Sequence, residues 1–274
     1  MTTIYDDHNM MVVILGYLAR TPTPRLMLPE VRTTTITRMG TMNIQNATVF
    51  ITGANRGIGL AFAKAVLERG ARKVYAAARN PSSIELAGVT PVKLDVTSPE
   101  DVSAAAAAAT DTTLVINNAG IATFGSFNTP EAETVLRSHL ETNLFGVLRV
   151  SQAFAPVLSR NGGGALLNVA SVASWLSAPT LANYAVSKAA LWSLSNALRN
   201  DLRPQGTQVL TLHMGFVDTD LTHGVSAPKA TPQDIVARAL DALEAGESEV
   251  LADERTREVK RNLSAEPAIY LIPR

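Results

Sequence analysis

The chain is 274 residues long and 46% hydrophobic, enough to bury one substantial core. Its 24 Lys+Arg and 24 Asp+Glu cancel, so it lacks the net basic field that holds nucleic acid by counterion release, and a small molecule is the expected partner. With no cysteine there is no disulfide framework or thiolate chemistry, and the four histidines, His8, His139, His213 and His223, lie at no metal-ligand spacing; an intracellular enzyme without a metal is expected.

The first apolar run, Met10 to Ala19, is about half the length a bilayer span requires. Asp6 and Asp7 precede it where a signal peptide carries positive charge. Neither a membrane helix nor an export signal is predicted, and the expected location is cytoplasmic. Residues 20–42 are rich in Thr, Pro and Arg and aperiodic. Residues 1–41 are expected to form a disordered arm, or to reflect an overlong start with Met42 as the working initiator, ahead of one catalytic domain over residues 42–274.

From Ala47 onward, short β-branched or apolar runs alternate with longer helical patterns, the signature of βαβ units and a parallel sheet. Strands are predicted at Thr48 to Thr52, Lys73 to Ala78, Thr90 to Leu94, Thr113 to Ile116, Ala165 to Val169, Gln208 to Leu212 and Glu249 to Ala252. Helices are predicted at Ile58 to Arg69, Pro99 to Ala109, Glu131 to Arg160 (read as two), Tyr184 to Arg203, Pro232 to Ala245 and Glu254 to Leu263. Ser98-Pro99-Glu100-Asp101 reads as the cap and acidic first turn of the second, an alanine-rich surface helix. The fold class is therefore α/β: a single doubly wound Rossmann-type domain with a seven-stranded parallel sheet flanked by helices.

The first strand runs into Thr52-Gly53-Ala54-Asn55-Arg56-Gly57-Ile58-Gly59 and then an apolar helical pattern. Glycines at a strand-to-helix turn let the backbone approach a pyrophosphate, whose charge the free amides and helix N-terminus stabilise; a tight turn is the plainer alternative. About twenty residues on, where an acid would hold an adenosine ribose, the second strand ends Ala78-Arg79. A small residue followed by a planar cation suits a ribose 2′-phosphate, so NADP(H) is preferred to NAD(H), with Arg56 able to approach the same phosphate. Leu94-Asp95-Val96 and Ile116-Asn117-Asn118-Ala119-Gly120 close the third and fourth strands, at the carboxyl ends where open α/β sheets bind ligands.

Asn143 lies within a helical region, where Asn is a poor helix former and marks a kink or a water site. Ser171 follows the fifth strand at its carboxyl end. Tyr184 and Lys188 are four apart at the start of a helix and share a face; an ammonium there would lower the tyrosine pKa from its ordinary value near 10 towards neutrality. His213-Met214-Gly215-Phe216-Val217-Asp218-Thr219 follows the sixth strand, and the mixed loop after Thr219 names no substrate. Trp175, Leu176, Phe124 and Phe127 either wall an apolar pocket beside Ser171 or belong to the core or an interface.

Taken together, the TGxxxGIG loop, the Asn-Asn-Ala-Gly segment, Asn143, and Ser171 thirteen residues before Tyr-x-x-x-Lys resemble the short-chain dehydrogenase/reductase family across residues 46–253. That resemblance implies a catalytic set of Asn143, Ser171, Tyr184 and Lys188. Tyr184 would be the general acid/base, Ser171 would hold the substrate oxygen, Lys188 would bind the nicotinamide ribose, and Asn143 would hold a proton-relay water. It implies cofactor contacts from Gly53, Asn55, Arg56, Gly57, Ile58, Gly59, Arg79, Asp95 and Val96 (flanking adenine), Asn117, Ala119, Gly120, Tyr184 and Lys188. Gly215, Val217 and Thr219 would approach the nicotinamide, although Met214 stands where the family has proline and removes a fixed φ. The implied activity is NADP(H)-dependent interconversion of a carbonyl and an alcohol, in a homodimer or homotetramer. A non-catalytic NADP(H)-binding sensor or scaffold is the alternative, and it would have no use for the intact catalytic set.

Overall fold

The computed structural model describes residues 41–272. The apolar run at Met10–Ala19 and nearly all of the expected N-terminal arm lie outside the described residues. No helix among the described residues is long and apolar enough to cross a membrane.

Seven parallel strands form one sheet in the order β3-β2-β1-β4-β5-β6-β7. They are β1 (Thr48–Thr52), β2 (Lys73–Ala78), β3 (Thr90–Lys93), β4 (Leu114–Asn117), β5 (Ala165–Val169), β6 (Gln208–His213) and β7 (Glu249–Leu251). The helices are α1 (Gly57–Glu68), α2 (Pro99–Ala108), α3 (Ala132–Leu140), α4 (Gly146–Arg160), α5 (Ala182–Leu202), α6 (Pro232–Glu244) and α7 (Glu254–Arg261). After β1 the chain winds outward through β2 and β3, then returns to place β4 on the other side of β1. The order reverses there, so a crevice opens between the carboxyl ends of β1 and β4, where ligands of such sheets bind.

Strand periodicity divides the core into two layers. Val49 and Ile51 of β1, with Leu114 and Ile116 of β4, face α1 and α6 and pack on Phe62, Val66, Ile235 and Leu240. Phe50 and Val115 point the other way, against Val150, Phe154 and Leu158 of α4 and Leu198 of α5. Burial on both faces explains why the central strands read as continuous apolar runs rather than alternating ones. Ser98 caps α2 by accepting from Asp101 N at 3.1 Å, with Pro99 in the first turn, as its sequence predicts.

The long third helical stretch is two α-helices, α3 and α4, joined without a break by a π-helical turn over Glu141–Phe145. Asn143 lies in that turn and is fully buried. Such turns cluster at functional sites because they re-aim side chains without ending the helix.

Candidate active site

Thr52 fastens the two strand tips that flank the crevice. Its Oγ1 accepts from Asn118 N at 3.0 Å and Ala119 N at 2.9 Å, while Asn118 Nδ2 donates to the carbonyls of Thr52 (2.9 Å) and Gly53 (3.0 Å). Gly53 turns the chain at φ +65°, with Ala119 Cα 3.0 Å from where a Cβ would stand. Gly59 lies closer still: a Cβ there would be 2.1 Å from the Gly53 oxygen, so only glycine lets α1 seat against the loop. Arg56 offers α1 no side-chain cap and the first turn holds no acid, leaving its leading N–H groups to an anion.

A cleft of about 540 Å³ runs across these tips. Gly53, Asn55, Arg56, Gly57 and Ile58 form its floor, Ala78, Arg79, Asp95 and Val96 one end, and Ala119, Gly120, Tyr184, Lys188 and Thr219 the other. Uncapped amides, tightly approached glycines and a basic end form a donor set that fits a phosphorylated dinucleotide. Arg79 is exposed and has no carboxylate partner among the described residues, whereas Arg56 is ion-paired with Asp220 at 3.1 Å. Asp95 also closes a local turn, its Oδ1 accepting from Thr97 N at 2.9 Å and Thr97 Oγ1 at 2.7 Å.

Four residues expected to touch a cofactor stand outside this cleft. Gly59 is buried behind Gly53 and acts through packing. Asn117 points into the protein, its Nδ2 donating to Asn168 Oδ1 at 2.9 Å, and the next residue, Asn118, lines the cleft instead. Gly215 donates its N–H to Asp253 at 2.6 Å, and it and Val217 line a neighbouring pocket.

The expected catalytic residues converge where α5, β5 and the loop after β4 meet. Lys188 is buried and donates to the Val169 carbonyl at 2.7 Å; burial pushes its pKa down to about 8. Its Nζ stands 5.6 Å from the centre of the Tyr184 ring. Tyr184 departs from the sequence expectation: burial pushes its pKa up to about 12, and the neighbouring Ser171 hydroxyl only partly opposes this. The cause is desolvation of the phenolate, which is larger than the stabilisation the Ser171 hydrogen bond gives it.

Asn143 acts as a strut. Its Oδ1 accepts from Ile121 N at 2.8 Å, and its Nδ2 donates to Ile121 O at 2.9 Å and Ser187 Oγ at 3.0 Å. Ser187 Oγ in turn donates to the Tyr184 carbonyl at 2.7 Å. The side chain is thus occupied in tying the cleft wall to the tyrosine helix, with both Nδ2 hydrogens used.

Ser171 Oγ accepts from Ala173 N at 3.1 Å and donates to the Met214 carbonyl only at a long 3.5 Å, a bond that a substrate oxygen can replace. Behind it, buried His213 donates from Nδ1 to the Ser171 carbonyl at 3.0 Å and stacks on Trp175 with ring centres 4.1 Å apart. Its Nε2 has no hydrogen-bond partner, and burial pushes its pKa down to about 4.

A second, more apolar pocket of about 650 Å³ adjoins the cleft, and Ser171 and Tyr184 stand in its wall. Phe124 and Leu176 line it as the sequence suggested. Trp175 instead turns away onto His213 and Trp192, and Phe127 is half exposed and lines neither cavity. The pocket's outer edge is the loop between Val217 and Ala230, whose ends pair through Asp218 N to Ala230 O and Ala230 N to Phe216 O, each 2.9 Å.

Asn118 lines the cleft as the segment from Asn117 to Gly120 was expected to. Thr52, Ser187 and His213 are contributors to which the sequence assigned no role. Thr52 opens the glycine motif and His213 heads the segment after β6, so position could have suggested them, whereas Ser187 acts through partners distant in the chain and carries no local signal.

Residues 47–230 match the family described as short chain dehydrogenase. The 3-oxoacyl-[acyl-carrier-protein] reductase FabG of Vibrio cholerae is 31% identical over 200 residues, covering 69% of this chain and 81% of that protein. A short chain dehydrogenase from Burkholderia cenocepacia, solved in complex with NADP, superposes with a TM-score of 0.79 at 36% identity, covering 85% of this chain and all of that one. A short chain dehydrogenase/reductase from Burkholderia phymatum, solved with NAD, shares the fold at a TM-score of 0.74 and 24% identity, covering 85% of this chain and 99% of that one.

Proposed function

The chain belongs to the short-chain dehydrogenase/reductase family of oxidoreductases, and from that premise we propose that it interconverts a ketone or aldehyde with the corresponding alcohol, using NADP(H). One observation carries this reading: Tyr184 lies in the wall shared by the polar cleft and the apolar pocket, with Lys188 on the cleft side and Ser171 on the pocket side.

The cofactor supplies or accepts the hydride. In the reduction direction, Ser171 donates to the carbonyl oxygen and holds it towards Tyr184, which protonates it as the alcohol forms. With its pKa near 12, Tyr184 is a phenol at neutral pH, already in the form that donates. In the oxidation direction the same side chain takes the proton back as the phenolate. Lys188, held by Val169, presents its ammonium to the cofactor ribose and to the tyrosine. Asn143 is a positioning residue that fixes Ile121 and, through Ser187, the first turn of α5.

Choice of NADP(H) rests on Arg79. It follows small Ala78 at the end of β2, forms no ion pair among the described residues, and offers a guanidinium fork suited to phosphate. Arg56 can join once it leaves Asp220, a surface pair with little to lose. Assembly as a homodimer or homotetramer is supported by Phe145 and Val186, 43% and 40% exposed in the π-helical turn and on α5.

The test pairs cofactor titration with turnover. Tyr184→Phe should lower carbonyl reduction about 10²–10⁴-fold while binding NADPH normally. Arg79→Ala should weaken NADPH about tenfold and leave NADH unchanged. Near-normal turnover by Tyr184→Phe would overturn the mechanism, and equal affinity of the wild type for both cofactors would overturn the NADP assignment.

A further inference from the structure

The apolar pocket contains charge that neither the hydride nor the proton transfer requires. Three ionisable side chains outside the catalytic set join its wall: Asp253, Arg255 and Lys229. Asp253 is fully engaged. Its Oδ1 accepts from Thr256 N and Oγ1, both at 2.8 Å, and its Oδ2 from Gly215 N at 2.6 Å. Arg255 is 44% exposed and pairs with Glu258 at 2.6 Å.

Lys229 differs from both. Its side chain is only 20% exposed, and the carboxylate near it, Asp218, is 3.8 Å away and itself 76% exposed. At that distance the pair is electrostatic and not a hydrogen bond. The ammonium's three N–H donors have no hydrogen-bond acceptor among the described residues. A lysine that lines an apolar wall, with its nearest carboxylate too far for a hydrogen bond, keeps its N–H donors available to an anion entering the pocket. Nor is the backbone free to carry it away, because the adjacent Ala230 is held to Phe216 and Asp218 by the two 2.9 Å bonds.

We propose that the pocket takes carbonyl substrates with an apolar body and a carboxylate remote from the reacting carbon, and that Lys229 is the specificity-determining residue that receives the carboxylate. This rests on the reading of the site as a carbonyl/alcohol oxidoreductase. The apolar wall around Phe124, Leu176 and Val225 accommodates the body, Ser171 and Tyr184 hold the carbonyl oxygen, and Lys229 reads the far end. Discrimination arises because an uncharged analogue leaves the ammonium unpaired.

The probes are terminal methyl-ketone carboxylic acids of increasing chain length, each compared with its methyl ester. Binding is measured by calorimetry to the protein saturated with NADP⁺, where a ketone cannot react. For the best-fitting length, the acid should bind the wild type at least about tenfold more tightly than the ester. Lys229→Met should remove that preference by weakening the acid alone, and Lys229→Arg should keep most of it. Equal binding of acid and ester by the wild type, or equal loss of both in Lys229→Met, overturns the proposal. Turnover with NADPH separates the two layers: esters reduced while acids are refused would defeat the carboxylate site and keep the oxidoreductase reading. Acids bound through Lys229 but never reduced would do the reverse.

Discussion

His213 provides a pH dependence whose size follows from its surroundings. Its Nδ1–H is spent on the Ser171 carbonyl, its ring is stacked on Trp175, and its Nε2 stands unpartnered in the interior. Burial is the largest influence on it. The Ser171 carbonyl and Glu249, whose carboxylate is 3.6 Å from Nε2, oppose that effect, while Lys260 and Lys188 add to it. The folded-state pKa of about 4 therefore lies below the ordinary value of 6.5. On acidification the unfolded chain takes up this proton first, so the stability contributed by neutral His213 is fully present above pH 6.5 and lost as pH falls towards 4. At about 1.4 kcal/mol per pH unit, that interval corresponds to about 3 kcal/mol. Urea unfolding at neutral pH and at about pH 4.5 should thus show the wild type losing about 2–3 kcal/mol more than His213→Asn, which keeps a donor for the Ser171 carbonyl and cannot titrate. Carboxylates titrate in both proteins, so their contribution cancels in the difference. If the two proteins lose the same stability, the buried neutral imidazole is not what the acid limb reports.

Lys188 gives the opposite limb, since raising pH through about 8 removes its charge beside Tyr184. Reduction measured as kcat/KM should fall above about pH 8, and in Lys188→Arg that decline should move to higher pH. At the glycine loop, Gly59→Ala drives its Cβ into the Gly53 carbonyl oxygen, so α1 and the loop must move apart and NADPH binding should be abolished in titrations. Gly57→Ala has space, its nearest neighbour being Thr219 Cγ2 at 3.5 Å, but needs φ near +55°. Its cost should be about 1–2 kcal/mol in urea unfolding, with binding retained in weakened form.

The sheet and its crevice were legible because their determinants are local. Apart from β3, a short and largely exposed Thr-Pro-Val-Lys segment, the strands are predominantly apolar runs bounded by turn residues, and the predicted strands fall within a residue of the observed ones; β3 stops at Lys93 and β4 starts at Leu114. Tyr184 was read as opening its helix, yet α5 begins at Ala182, because Leu181 and Ala182 carry no capping signal. The π-helical turn was visible only as a misplaced Asn143. Its cause, the clamp on Ile121 and Ser187, depends on residues 22 and 44 positions away. The buried row from Asn117 through Asn168 to Ser195 was illegible for the same reason, since each side chain is satisfied only by another element. The tyrosine pKa was misjudged because a spacing of four places a lysine nearby without revealing how much solvent is lost around both.

The pairing of Val217 with Ala230 makes the intervening residues a cassette with a closed stem. β6 and α6 meet that stem, so changes in the length or character of residues 218–229 reach the sheet only weakly, at about 0.6 kcal/mol per doubling of loop length. The glycine loop, Tyr184 and Lys188 belong to the frame, while the insert presents Lys229 to the pocket and Thr219 and Asp220 to the cleft. Transplanting that insert between relatives would move substrate preference with it while the proton-transfer chemistry stayed with the recipient.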